Sequence, residues 1–308
     1  MSAHEFIAGI PLVLGGNVFG WSSKGDEAFA VLDAFYEAGG RMIDTADVYS
    51  AWIPGHQGGE SETVLGEWLE RSGVRADMRI HTKTGMLGGA ELYDPARVLQ
   101  SLDASLERLR TDRVDLYYAH KDYPELDIAQ IVEAFDGAVR SGKVRALGAS
   151  NFDAARLSAA LDQAEAAGAT PFAALQNEYN LVARDAYGED LQSLVTERDL
   201  AMLPFFGLAS GYLTGKYRTE ADFAQSLRGG RAKELAGTNG PQVLQAMDEV
   251  AAETGASHAA IALAWLVRQP GIPAPIASAR TVEQLQQLLD FTRVELTDDQ
   301  LGRLSAAA

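Results

Sequence analysis

Eight short apolar segments, each followed by a stretch of helical character, constrain this chain more than any other feature. They are PLVLGG (11–16), RMIDTA (41–46), MRIHTK (78–83), VDLYYAH (114–120), VRALGAS (144–150), FAALQNEY (172–179), AMLPFF (201–206) and IPAPIAS (272–278). Each is short and bounded by turn residues, and so reads as a buried strand. Between them lie amphipathic stretches such as DEAFAVLDAFYEAG (26–39), DPARVLQSLDASLERLR (94–110) and DAARLSAALDQAEAAG (153–168). Asp94 followed by Pro95 is a helix start signal, an acceptor side chain and then a residue whose missing N–H costs nothing there. Gly39 and Gly168 stand where a helix would close.

Eight strand–helix units at roughly 30 residues each predict a (β/α)₈ TIM barrel, a single domain over 1–308. A doubly wound sheet is the rival, weakened because no G-x-G-x-x-G turn follows the first strand. GGNVFG (15–20) looks like a phosphate loop, but no Gly-Lys-Ser/Thr follows, so it reads as an ordinary turn. No linker or low-complexity tract divides the chain. Two connections are long, 50–59 and 207–240, and both fall at the carboxyl face of the strands, where long loops usually carry function.

Composition narrows the function classes. The 308 residues include no cysteine, which excludes disulfides, thiolate metal sites and a cysteine nucleophile and fits a reducing compartment. A net charge of −17 argues against nucleic acid and anionic membranes, and any anionic ligand then needs its own local cations. The N-terminus lacks a signal-peptide pattern, and the longest apolar run, AAIALAWLV (259–267), is too short to span a bilayer. The expectation is a soluble cytoplasmic protein; nothing in the pattern specifies an oligomer.

The unusual polar residues finish strands: Asp44, Lys83, His120, Ser150 with Asn151, and Gln176. Alternation puts Met42 with Asp44, His81 with Lys83, and Leu116, Tyr118 and His120 on shared faces. Each has a bland explanation alone. Asp44 could be a cap, Lys83 a snorkelling charge, His120 a core histidine and Tyr49 loop packing. Together, at neighbouring strand ends in a barrel, they point to catalysis.

IDTADVY, IHTK, DLYYAH, GKVRALGASNF, LQNEYN, LASGYLTGKY and PIASARTVEQL occur in this order from about residue 10 to 300. Seven ordered motifs at barrel-unit spacing resemble the aldo-keto reductase family, and the short C-terminus is similar to that of its bacterial members. The resemblance implies reduction of an aldehyde or ketone by NADPH, with Tyr49 as proton donor, Lys83 as its activator, Asp44 as the lysine's partner and His120 as the fourth member. Asp47 falls inside the motif at a variable position. Chemistry agrees: hydride arriving at a carbonyl carbon makes an alkoxide that needs a proton. A free phenol has a pKa of ~10, and an ammonium within ~4–6 Å is expected to lower it.

For the cofactor, the resemblance implies that Ser150, Asn151 and Gln176 hold the nicotinamide carboxamide and that Phe205 stacks on the ring. Backbone amides around Leu208, Gly211 and Leu213 meet the pyrophosphate, with Lys216 nearby. Ser278 and Gln284 lie along the nucleotide, and Arg280 faces the adenosine 2′-phosphate. Ser50, Ser278 and Leu288 depart from common family residues, which bears on fine contacts. The substrate pocket is expected between Trp21, Trp52, Ile53 and Tyr123. Two rivals remain open: a lyase or aldolase using Lys83 as a Schiff-base nucleophile, and a sensing module that holds NADPH and turns over slowly, like the channel-associated β subunits.

Overall fold

The computed structural model describes residues 4–224 and 229–308. All eight anticipated strands are present: β1 Val13–Gly15, β2 Met42–Asp44, β3 Arg79–Thr84, β4 Val114–Ala119, β5 Val144–Ser150, β6 Phe172–Gln176, β7 Ala201–Met202 and β8 Ile276–Ala277. They form one parallel sheet in the order β7-β6-β5-β4-β3-β2-β1-β8. Backbone bonds close the ring: Met202 N donates to Gly271 O at 2.8 Å, and Ile276 N to Pro204 O at 2.9 Å. The architecture is a (β/α)₈ barrel.

β7 and β8 are shorter than their apolar segments. Pro204 in the first segment, and Pro273 and Pro275 in the second, have no N–H to give to the ladder, so regular pairing stops beside them.

Period-two alternation sorts the strands into two cores. Val13, Met42, Leu116, Tyr118, Ala174 and Ala201 point into the barrel. Leu14, Ile43, Tyr117, Leu175 and Met202 point outward beneath the helices. Tyr118 fits inside because its neighbour on β5 is Gly148, where a Cβ would stand 2.4 Å from the ring. Phe6 plugs the floor, its carbonyl 3.1 Å from His81 Nε2 and its ring edge-on to the imidazole. His81 is therefore a floor residue, held through Nε2 while its Nδ1 has no partner among the described residues, and the next inward position on β3 is Lys83.

The helices end as their caps dictate. Asp94 accepts from Ala96 N and Arg97 N ahead of Pro95–Leu109, and Gly168, at φ +62°, closes Ala154–Ala167. The connection 207–240 is not one open loop: a tight segment Ala209–Thr214 and two short helices, Glu220–Ala224 and Gly229–Ala236, break it up. Among the described residues no helix is long and apolar enough to cross a membrane.

Candidate active site

Parallel register sets the site. Asp44 pairs with His81 and Lys83 with Tyr118, so the inward positions at the ends of β2, β3 and β4 converge on one mouth. Lys83 is fully buried and Asp44 nearly so. The Lys83 ammonium uses all three donors: to Asp44 Oδ2 at 2.6 Å, to Thr45 O at 2.7 Å and to the Tyr49 hydroxyl oxygen at 3.1 Å. Gln176 Nε2 donates to the other oxygen of Asp44 at 2.9 Å. The carboxylate is thus gripped on both sides, and the lysine cannot rotate away without losing a buried partner.

This pattern fixes the direction of each bond. Because the Tyr49 oxygen accepts from Lys83, its own O–H remains available to a group in the mouth. Burial presses the Lys83 ammonium down, but Asp44, Tyr49 and the bonds to both raise it above its ordinary value, so it stays charged. Tyr49 departs from expectation. Burial raises its phenol above the ordinary value, and the opposing pull of Lys83 does not reverse this. The family logic anticipates a lowered value; desolvation outweighs one neighbouring ammonium, and the phenol is protonated.

His120 lies with its ring 6.1 Å from that of Tyr49, at 73°. Burial, reinforced by Lys83, holds its imidazole well below the usual range, so it is neutral near pH 7. A neutral ring donates one hydrogen bond and gives up no proton readily. Its Nδ1 is buried with no partner among the described residues.

The anticipated nucleotide residues line the same face. Ser150 Oγ donates to Gln176 O at 2.8 Å, and Asn151 Nδ2 donates to His120 O at 2.9 Å and Ser150 Oγ at 3.1 Å. Phe205 is partly buried over the barrel interior and meets Phe206 edge to face. In the segment after β7, the N–H groups of Gly211 and Leu213 both turn inward to Leu208 O, at 2.8 and 3.3 Å. These two amides are engaged with the turn itself, because it folds tightly enough to satisfy its own donors. Lys216 has its ammonium 4.9 Å over the Tyr217 ring and forms no ion pair among the described residues.

Arg280 is exposed, and its guanidinium has neither a carboxylate nor a carbonyl partner among the described residues. Gln284 uses its amide oxygen to accept from Arg280 N at 3.0 Å, and Ser23 Oγ donates to Arg280 O at 3.2 Å. Ser278 Oγ donates to Asn17 Oδ1 at 2.6 Å, while Asn17 O accepts from Trp21 Nε1 at 2.6 Å. Asn17 thereby joins the segment after β8 to the segment after β1. Sequence reasoning passed over it, since GGNVFG reads as a turn.

The expected pocket residues divide. Trp52 stands between Trp21 and Tyr49, with ring centroids 6.2 and 5.8 Å away, forming a continuous aromatic wall down to the phenol. Ile53 follows it in the same turn. Tyr123 is tied down separately: its hydroxyl donates to Gly85 O at 2.5 Å and its ring packs on Tyr93.

Known proteins are similar to this chain over nearly its whole length. The family model "Aldo/keto reductase family" matches residues 11–308. An aryl-alcohol dehydrogenase [NADP(+)] from Phanerodontia chrysosporium is 31% identical over 310 residues, covering 93% of this chain and 77% of its own. Norsolorinic acid reductase stcV from Emericella nidulans is 32% identical over 323 residues, covering 96% and 78%. An uncharacterized oxidoreductase, YrpG, from Bacillus subtilis is 30% identical over 309 residues, covering 96% and 90%. With a buried lysine, its carboxylate and a protonated phenol assembled at the barrel mouth, and this match across nearly the whole sequence, the chain belongs to the aldo/keto reductase family and is an NAD(P)H-dependent oxidoreductase.

Proposed function

We propose that the protein reduces aldehydes or ketones to alcohols using NADPH, with Tyr49 donating the proton. The observation that carries this reading is the Lys83 ammonium, whose three donors are spent on Asp44, Thr45 and the Tyr49 oxygen. A Schiff-base mechanism needs a neutral amine with a free lone pair. A lysine raised above its ordinary value and saturated with acceptors is a poor nucleophile. It is well suited to stabilising charge on the phenol oxygen as a proton leaves.

When bound, NADPH would supply the hydride. Ser150, Asn151 and Gln176 would hold its carboxamide, Phe205 would cover the ring, and Lys216 and Arg280 would meet the phosphates. The residues fit such a group: in a chain of net charge −17, an exposed guanidinium with no acidic partner among the described residues is suited to a phosphate. The remaining work falls to the chain. Neutral His120 offers an N–H to the carbonyl oxygen and orients it, Tyr49 delivers the proton, and Lys83 steadies the phenolate left behind. Asp44 keeps Lys83 charged throughout. Replacing Arg280 with alanine is expected to weaken NADPH roughly tenfold or more and leave NADH unchanged, since a hydrogen bond to a charged group contributes about 1.5–3 kcal/mol. Fluorescence titration with both nucleotides checks this; equal losses for the two would move the 2′-phosphate site elsewhere.

The substrate side is apolar. The large hydrophobic side chains most exposed among the described residues are Trp52 (50%), Met86 and Leu87 (46% each) and Phe206 (41%). All sit in loops that follow β2, β3 or β7, around the same mouth. Small aromatic or aliphatic carbonyl compounds match such walls better than sugars do. Trp52→Ala is expected to raise KM for benzaldehyde about tenfold while propanal changes little, because an aromatic contact contributes ~0.5–1.5 kcal/mol beyond burial. A steady-state screen of carbonyl compounds with NADPH tests the whole reading, and tight nucleotide binding without turnover on any of them would favour a sensing role.

A further inference from the structure

We propose that Asp47 is a positioning residue for the proton-transfer pair, locking the turn that carries Tyr49 onto the strand end that carries Lys83. The proposal rests on the reading of Tyr49 as proton donor. Beyond β2 the chain keeps pairing with β3: Thr45 N donates to His81 O at 2.8 Å, and Asp47 N donates to Lys83 O at 3.1 Å. Thr84 Oγ1 then donates to Asp47 Oδ2 at 2.6 Å. The next strand is tied to the same residue, because His120 N donates to Thr84 O at 2.9 Å. Lys83 is therefore held by this turn from two sides. Asp44, Thr45 and Tyr49 take its ammonium, while Asp47 takes its main chain and its neighbour's hydroxyl.

The side chain is a costly one to place there unless it has a task. Asp47 is 3% exposed, and its Oδ1 has no partner among the described residues. Among the described residues the groups facing it offer no free counter-charge. Glu62 and Arg108 both lie nearby, but they are paired with each other at 2.7 Å, and the other titratable neighbours are the phenols of Tyr93, Tyr117 and Tyr123. Burial pushes the Asp47 carboxyl up to about 7. The Thr84 bond survives in either protonation state, since an oxygen that accepts is present in both. A two-point clamp two residues from Tyr49 fixes where the phenol stands relative to the ammonium. Displacement of reacting groups by about 1 Å can cost up to about 10²-fold in rate.

The test uses the full chain, NADPH and benzaldehyde in H₂O and D₂O. Asp47→Ala and Thr84→Val are each expected to lower kcat about tenfold to a hundredfold. NADPH Kd and substrate KM stay unchanged, and the solvent isotope effect on kcat grows because delivery of the proton becomes the slow step. Asp47→Asn keeps an oxygen for Thr84 and should recover most of the loss. The double variant should be no worse than either single one, because both remove the same bond. Wild-type turnover in Asp47→Ala and Thr84→Val overturns the proposal. So does a loss in Asp47→Asn as deep as in Asp47→Ala, or a fall in nucleotide affinity that tracks kcat. If wild type binds NADPH but reduces no carbonyl compound, the reductase reading fails instead. Crystal structures of the variants then decide the clamp: a Tyr49 Oη–Lys83 Nζ separation beyond hydrogen bonding supports it, and an unchanged 3.1 Å overturns it.

Discussion

Replacing Tyr49 with phenylalanine is expected to leave nucleotide binding intact and lower carbonyl reduction by roughly 10²–10⁴-fold, the usual contribution of a positioned general acid. The substitution is unusually clean here. The ring packs edge-on against Trp52 and His120 and sits 4.7 Å from the Lys83 ammonium, and phenylalanine keeps all of those contacts. Only the hydroxyl goes, and with it one of three acceptors for Lys83. His120 cannot take over, because burial and the nearby ammonium hold its imidazole well below the usual range. Residual activity should therefore not recover between pH 7.5 and pH 6, where an ordinary histidine would acquire a proton. Undiminished turnover in Tyr49→Phe would remove the phenol from the mechanism, and activity rising toward pH 6 would hand its role to His120.

The second large effect concerns stability. Lys83→Met removes the cation from a pair that is almost wholly excluded from water, leaving Asp44 with Gln176 Nε2 as its remaining side-chain donor among the described residues. Breaking a buried pair on one side costs about 3–5 kcal/mol, because an uncompensated charge stays behind. Urea unfolding at pH 7 should thus find Lys83→Met much weaker than wild type. Asp44→Asn combined with Lys83→Met should restore most of the difference. A variant as stable as wild type would mean that the carboxylate finds another partner.

Much of this molecule was legible in its sequence, for reasons that differ between elements. The barrel was readable because eight buried strands at regular spacing leave a periodic record; β7 and β8 are cut to two residues each beside their prolines. Asp44, Lys83 and His120 were readable because a polar residue ending an apolar strand is conspicuous. Other parts left no local trace. Asp44 and Gln176 are 132 positions apart, and nothing near either announces the other. Thr45 contributes to the site through its carbonyl, which every residue has. Asn17 and Asp47 act by joining segments, and their neighbours in sequence do not reveal what they join. The Tyr49 phenol shows the limit most plainly. A nearby lysine predicts the sign of one influence, but the depth of burial, which dominates, belongs to the folded chain.

The amino-acid sequence by itself determined the barrel and the strand ends on which its chemistry would stand, because alternation and spacing are written locally, and its ordered motifs carried the resemblance to the family to which the chain belongs. Only the tertiary structure decided which donor meets which acceptor at the mouth, which way the bonds around Tyr49 point and whether its phenol keeps a proton. Those depend on distances between remote segments and on the exclusion of water, and both come into being when the ring closes.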